Sequence, residues 1–397
     1  MIDRSVEPTK GESQKMVLTP LSSRFTGRPS RRLTETSYNM LPTNVASRRA
    51  DPVGLRISHW DPDSGDVWSN VVNQTDHASL EQLPHWFTVI KDAYGHSPLY
   101  FVGEDEDGAG AVLPAFLVRS RLFGSVVTSM PFLDAGGPCS RSPALARALV
   151  DHLVRVAASL GAGRVELRCV SEMDLPVPAM RDKVNLVLPL PERPEMLWRQ
   201  LDAKVRNQIR KAESAGLSVE IGGIEMLEHF YEPWSVNMRE LGSPVHGRHF
   251  FRAIFAAFGR AARITLIRHG SVPVGGLVAL AFKDRLVVPW ASSRREYFSS
   301  CPNMLLYWET LRTACLEGVR RFEFGRSSRD SGTYRFKRQW GALEEPLFWY
   351  TIPLQPGASH GLSSVDRRGA LLAAMWRRLP LAVTRWLGPS IRKCLTQ

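Results

Sequence analysis

Apolar and polar positions along this chain fall into one pattern that occurs twice. Over residues 99–169, LYFVGEDEDGAGAVLPAFLVRSRLFGSVVTSM gives strand-length apolar stretches broken at glycines. ALARALVDHLVRVAASLGAG follows at helical spacing, and then RVELRCV as a strand. Over residues 263–324 the order returns, with ARITLIRHGSVPVGGLVALAFKDRLVVPWASS, the helical NMLLYWETLRTACLEGV and the strand RRFEFGR. Period-two and period-3.6 spacing separate these strands from these helices. Each copy reads strand, turn, strand, strand, loop, long helix, glycine, strand. Units of this length exceed solenoid repeats, so they predict two copies of one small α/β domain. A cleft between two such domains is a usual place for a ligand.

The rest of the chain fits around the copies. GLRISHW (54–60) alternates as a strand, and LPHWFTVIKDAYG (83–95) carries an apolar stripe that stops at glycine. Prolines punctuate residues 173–194, which hold one strand over 184–188. One long basic helix is predicted over 195–215, closed by Gly216 as its C′ residue. LSVEI is a strand; helices follow at 224–241 and 248–258. Residues 332–354 supply a loop or short helix and a last strand. The predicted domains are a disordered basic segment (1–50), a first domain (51–180), a second (181–355) and a basic amphipathic tail (356–397).

Charge changes this picture less than its total suggests. The net charge is +12, but +5 of it lies in residues 1–50 and +6 in residues 360–397, leaving +1 for the body. A body so near neutral, with no reader motif, argues against a DNA-binding protein. Five scattered cysteines without a CxxC pair argue against a disulfide framework or zinc site and for a reducing compartment. No secretion signal or run of about 20 apolar residues is present, so a cytoplasmic protein is expected. In the tail, arginines alternate with Leu and Trp. That composition fits either a helix packed on the body or one lying on an anionic membrane face.

Two cationic clusters are candidates for chemistry. The helix over 195–215 crowds Lys204, Arg206, Arg210 and Lys211 against few acids, a pattern suited to clamping phosphate, though a solvated helix face has the same look. The stretch FEFGRSSRDSGTYRFKRQW (322–340) holds Glu323, Arg326, Tyr334, Lys337 and Trp340. Its Gly325 ends the last strand of the second copy, where open α/β sheets bind ligands. Glu323 has a counterpart in Glu166 of the first copy, which points to a shared structural need. Lys337 and the arginines have none, so they are the stronger functional candidates. His246 and His249 lack the third ligand of a metal site and are read as a polar loop beside the cleft. Cys301, with no histidine near it in sequence, reads as a small apolar residue.

The strand order is that of the GNAT (Gcn5-related N-acetyltransferase) fold. Two tandem copies joined by a long basic helix resemble the FemAB peptidyltransferases. RNQIRKAESAGL, NMRELGSPVH, VPWASSRREY, CPNMLLYWE and FGRSSRDSGTYRFKRQWGA resemble, more narrowly, the FemAB-like branch found with exosortase/PEP-CTERM and exopolysaccharide loci. The likeness covers about residues 54–354. It implies two tandem GNAT-like domains with mixed sheets and an acyltransferase that moves an acyl or aminoacyl group onto an amine. The acceptor would be a phosphorylated glycan or cell-envelope precursor. The donor would be aminoacyl-tRNA, met at its acceptor end, or acyl-CoA, with no resident cofactor or metal. The family's Phe-Lys pair matches Phe336–Lys337, so Lys337 would stabilise charge developing on the donor. Glu323 could take the amine proton. Arg206, Arg210, Lys211, His246, Asn303, Arg326, Tyr334 and Trp340 would line the substrate site. The glycine-rich loop that grips coenzyme A in GNAT enzymes is missing, because no glycine lies between Ala291 and Tyr307. Two other readings stay open: a non-catalytic binder of a glycan lipid at the membrane, and a coenzyme-A-dependent acetyltransferase.

Overall fold

A computed structural model describes residues 55–106, 110–120, 124–356 and 367–396; the basic segment 1–50 lies outside them. The first module runs β1 (Arg56–His59), α1 (Val67–Gln74), α2 (His85–Tyr94), β2 (Ser97–Glu104), β3 (Gly110–Ser120), β4 (Gly124–Thr128), β5 (Cys139–Ser140), α3 (Pro143–Ser159) and β6 (Arg164–Cys169). The chain continues through β7 (Lys183–Pro189), α4 (Pro194–Gln200), α5 (Ala203–Ser214), β8 (Leu217–Gly222), α6 (Leu227–Leu241) and α7 (Arg248–Phe258). Next come β9 (Ala262–His269), β10 (Val272–Phe282), β11 (Arg285–Ser293), α8 (Pro302–Leu316), β12 (Arg321–Ser328), α9 (Gly332–Arg338), β13 (Leu343–Pro346) and β14 (Phe348–Pro353). The tail forms α10 (Arg367–Arg378) and α11 (Leu381–Arg392).

The two copies fold alike. β2, β3 and β4 are antiparallel neighbours, and β6 lies parallel to β4. β9, β10 and β11 repeat this arrangement, with β12 parallel to β11. Each parallel ladder is short and holds three residue pairs, ending at Thr128↔Glu166 and Val287↔Glu323. Glu166 and Glu323 are therefore equivalent positions. α3 is capped by the Ser142 side chain, which accepts from Leu145 N, and has Pro143 in its first turn. Its Leu145, Leu149, Val150 and Leu153 cover the outer face of the first sheet. α8 is buried around most of its circumference, because the second sheet lies on one side and α4 and α5 on the other. A third apolar cluster lies between the sheets and joins α1 and α2 to α6 and α7, so the modules share one core.

The modules also exchange strands. After β6 the chain crosses to the second sheet, where β7 pairs antiparallel with β12. After β12 it crosses back, and β14 pairs antiparallel with β6. The last strand, expected within the second domain, thus completes the first sheet. A strand's own alternation does not say which open edge it fills, and β6 and β12 offer similar ones. The single helix expected over 195–215 is two helices, because the backbone of Leu201 and Asp202 is extended between α4 and α5. The crossing between modules is made by residues 170–182, between β6 and β7, rather than by that helix.

Candidate active site

Backbone geometry at a bulge within β12, where the register against β7 shifts between Glu323 and Arg326, organises the site; Gly325, expected to end the strand, lies inside it. Gly325 has φ +76°, a left-handed conformation that glycine adopts without strain. A Cβ there would lie 3.2 Å from Val288 O and 3.6 Å from Asp134 Oδ2. The turn aims Arg326 at Asp134 of the first module: its backbone N donates to Oδ2 at 3.1 Å and its Nε pairs with Oδ1 at 3.2 Å. α9, capped by Ser331, brings Lys337 to the other side of the turn, where Nζ donates to the carbonyls of Gly325 and Arg326 at 2.8 Å each. Burial lowers the Lys337 pKa to about 8, against the pull of Asp134 and with a further push from Arg326.

The exchanged strand β14 closes this assembly. Trp349 Nε1 donates to Asp134 O at 3.1 Å. Two guanidinium groups lie over its ring, Arg326 at 4.8 Å and Arg168 at 4.9 Å. Arg168 is buried and donates to Met130 O, Leu133 O and, in the tail, Thr396 O at 3.1, 2.6 and 2.6 Å. Its burial lowers its pKa to about 10.

Beside the Gly325 turn, a cavity of about 470 Å³ opens between the modules, lined by Glu81 and Asp134 from the first and by Asn185, Arg285, Glu323 and Gly325 from the second. Glu323 accepts from Asn185 Nδ2 at 2.9 Å and pairs with Arg285 at 3.3 Å; burial nevertheless raises its pKa. Glu81 sits on a short 3₁₀ turn, Leu80–Gln82, fixed by two indoles. Trp68 Nε1 donates to Gln82 O at 2.7 Å and Trp86 Nε1 to Leu80 O at 3.0 Å. Burial raises the Glu81 pKa to about 7, helped by the negative charges of Glu323 and Asp134.

The fold brings three of the sequence-predicted residues to this place: Glu323, Arg326 and Lys337. The others lie elsewhere or are engaged locally, and none of them lines the cavity. Arg206 donates to the carbonyls of Trp198 and Leu201, so it fastens α5 to α4. Arg210 stacks on Trp198 at 5.6 Å and Lys211 is exposed. Tyr334 donates to Glu344, Asn303 accepts from Ser293, and Trp340 packs on Tyr307, Phe324 and Phe336. His246, read as part of a polar loop beside the cleft, is fully buried between Tyr94 and Arg392. Among the described residues no cluster of three or more His, Cys, Asp or Glu could hold a metal ion. Glu81, Asp134, Arg168 and Trp349 escaped the sequence reading. The signal available for Asp134 was DAGG (134–137), which follows the third strand of the first copy.

Residues 199–338 match the family described as the acetyltransferase (GNAT) domain. No curated protein matches the sequence. Among solved structures, FemX shares 14% identity at a TM-score of 0.59, covering 76% of this chain and 98% of its own. A conserved protein of unknown function from Bacteroides thetaiotaomicron VPI-5482 shares 9% at 0.50, covering 72% and 96%. A tandem GNAT protein from the clavulanic acid biosynthesis pathway shares 14% at 0.48, covering 76% and 99%. Residues 199–338 thus have the pattern of a GNAT acetyltransferase domain, and the described chain has the fold of FemX. Its two-module architecture is the FemAB-like fold.

Proposed function

We propose that the protein is a cytoplasmic N-acyltransferase that acts on an amine of a phosphorylated cell-envelope or exopolysaccharide precursor. One observation carries this reading: the cavity between the modules draws carboxylates from both of them and abuts the Arg326–Lys337 turn. The carboxylates attract the acceptor as an ammonium ion. Glu81, held near neutrality, takes the proton that must leave before nitrogen can attack. The amine lone pair then forms a bond to the donor's carbonyl carbon, and the ester or thioester bond to the carrier breaks. Arg326 faces the negative charge that develops on the carbonyl oxygen. Lys337 acts through the turn, because its ammonium group holds the two carbonyls that set Arg326 in place. The glycine-free loop before α8 favours an aminoacyl ester of tRNA over acyl-CoA as donor. The pairing with exopolysaccharide or exosortase loci rests on the motif resemblance alone.

The test incubates the purified full chain with an amine-bearing glycan precursor and, in parallel, alanyl-tRNA or acetyl-CoA, and weighs the precursor by mass spectrometry. Transfer from one donor is expected, with Glu81→Gln slowed on the order of a hundredfold. Binding of the precursor without turnover would favour the non-catalytic reading. Full activity in Glu81→Gln would remove the cavity from the mechanism.

A further inference from the structure

The tail helices are anchored on one side and bare on the other. On the inner side, Trp376, Thr384 and Gly388 are buried, and Gly388 lies so close to Val245 that a Cβ would meet its backbone N at 3.0 Å. Arg385 Nε donates to Ser235 Oγ at 2.8 Å, and Arg392 Nε donates to His246 Nε2 at 3.1 Å. Gly242, at the end of α6, packs against Ala373 of α10. These contacts fix both helices to α6 and the loop after it.

On the outer side stand the most exposed large apolar residues of the tail: Leu371 at 62%, Leu372 at 54%, Met375 at 66% and Trp386 at 77%. Leu241, half exposed at the end of α6, adds to them beside Arg377, which reaches its carbonyl. Leu371 and Met375 share a face of α10 by their i,i+4 spacing, with the exposed Leu372 at its edge. Trp386 lies two residues from both Thr384 and Gly388, so it points away from the side those residues bury. Within the tail itself the charge has one sign. From residue 367 to 396 the chain has seven Arg or Lys and no Asp or Glu, and Arg377, Arg378 and Lys393 are exposed. No described helix is long and apolar enough to cross a membrane.

We propose that the outer face of α10 and α11 is a docking surface for an anionic phospholipid bilayer, with Leu371, Leu372, Met375 and Trp386 entering the interface and Arg377, Arg378 and Lys393 meeting the lipid phosphates. Leucine, methionine and tryptophan in a field of arginine have the composition of interfacial helices. A protein partner of ordinary composition would leave this many like charges unmatched, whereas an anionic leaflet neutralises them. The packed inner side gives the surface a fixed orientation and spares it the ordering cost that a free helix meets on binding. The inference stands independently of the acyl-transfer reading.

The test sediments the full chain with vesicles of phosphatidylcholine alone and of phosphatidylcholine mixed with phosphatidylglycerol. Binding is expected on the mixed vesicles only, and added salt should weaken it. Leu371→Ser/Met375→Ser/Trp386→Ser and, separately, Arg377→Gln/Arg378→Gln should each lower it at least tenfold, with unchanged thermal unfolding. Since all five side chains are exposed, both variants keep the fold. Absence of binding by the parent chain, or binding undiminished in both variants, overturns the proposal. So does a dimer in solution that the triple variant dissociates, because a second copy would then be the occupant.

Discussion

Asp134 and Arg326 join the two modules at two points, backbone N to Oδ2 and Nε to Oδ1, at 3.1 and 3.2 Å. The pair is partly buried, so its attraction is screened less than that of a surface ion pair. Removing either charge should loosen the Gly325 turn and the cavity wall together. Asp134→Asn and Arg326→Ala are each expected to slow acyl transfer on the order of a hundredfold. In a double-mutant cycle on stability the two should couple by about 1 kcal/mol. Additive effects would show that the contact is incidental to both.

Trp349 tests the strand exchange. It belongs to the second half of the sequence but pairs opposite Arg168 in the first sheet, and it carries both guanidinium groups and the Asp134 carbonyl. Trp349→Ala leaves a void between the modules and should cost about 3 kcal/mol in urea unfolding. Trp349→Phe keeps a ring for the arginines and loses one hydrogen bond, so about 1 kcal/mol is expected. Equal losses in the two variants would mean that the indole N–H, rather than the ring, joins the modules here.

The repeat was legible because hydrophobic period is a local property, and β2 to β6 and β9 to β12 each declare their own type. What the sequence hid is what depends on long-range placement. The alternation of FWYTIP marks a strand without saying that its partner is β6. A helical pattern runs unbroken through Leu201–Asp202, and only the packing of α4 and α5 on α8 shows where it bends. Lys337 stood out by contrast with the first copy. That its ammonium group holds carbonyls could not be read, since those carbonyls belong to a turn set by Gly325. Nothing in SLEQL (79–83) marks Glu81 out from a solvated acid. Its burial follows from two tryptophans, one before it and one after, that hold the turn against the second module. For the tail, the expectation of a helix packed on the body holds on the inner side, while the outer side stays bare.

Glu81 is a carboxylate kept at a cost to stability. Its pKa rises from 4.5 to about 7 on folding. A raised carboxylate stabilises the fold below its unfolded pKa, and that contribution is lost as pH rises through the folded one. Stability should therefore fall by about 3 kcal/mol between pH 4.5 and 7 from this group alone. Glu81→Gln removes the slope. Urea midpoints should show the variant more stable than the parent at pH 8 and closer to it at pH 5. If the variant loses stability equally at both, the carboxylate has a structural partner and is no candidate base.

His246 makes docking of the tail depend on pH in the opposite sense. Arg392 Nε can only donate, so Nε2 of the ring, 3.1 Å away, must accept, and the ring proton sits on Nδ1 against the Tyr94 hydroxyl at 2.6 Å. A second proton would set two donors face to face. Burial, Arg392 and His249 all push the pKa of this ring well below 6.5. A lowered histidine contributes stability that is present above the unfolded pKa of 6.5 and lost as pH falls below it. Hydrogen exchange along α11 should therefore quicken between pH 7 and pH 5 after correction for the intrinsic rate, with the buried helix α8 as internal reference. His246→Phe fills the same space without an acceptor, so its α11 should exchange faster than the parent's at pH 7 and change little on acidification. Parent protection that stays flat over this range would show that the contacts of Trp376, Arg385 and Gly388 suffice to hold the tail, with the histidine merely packed beneath it.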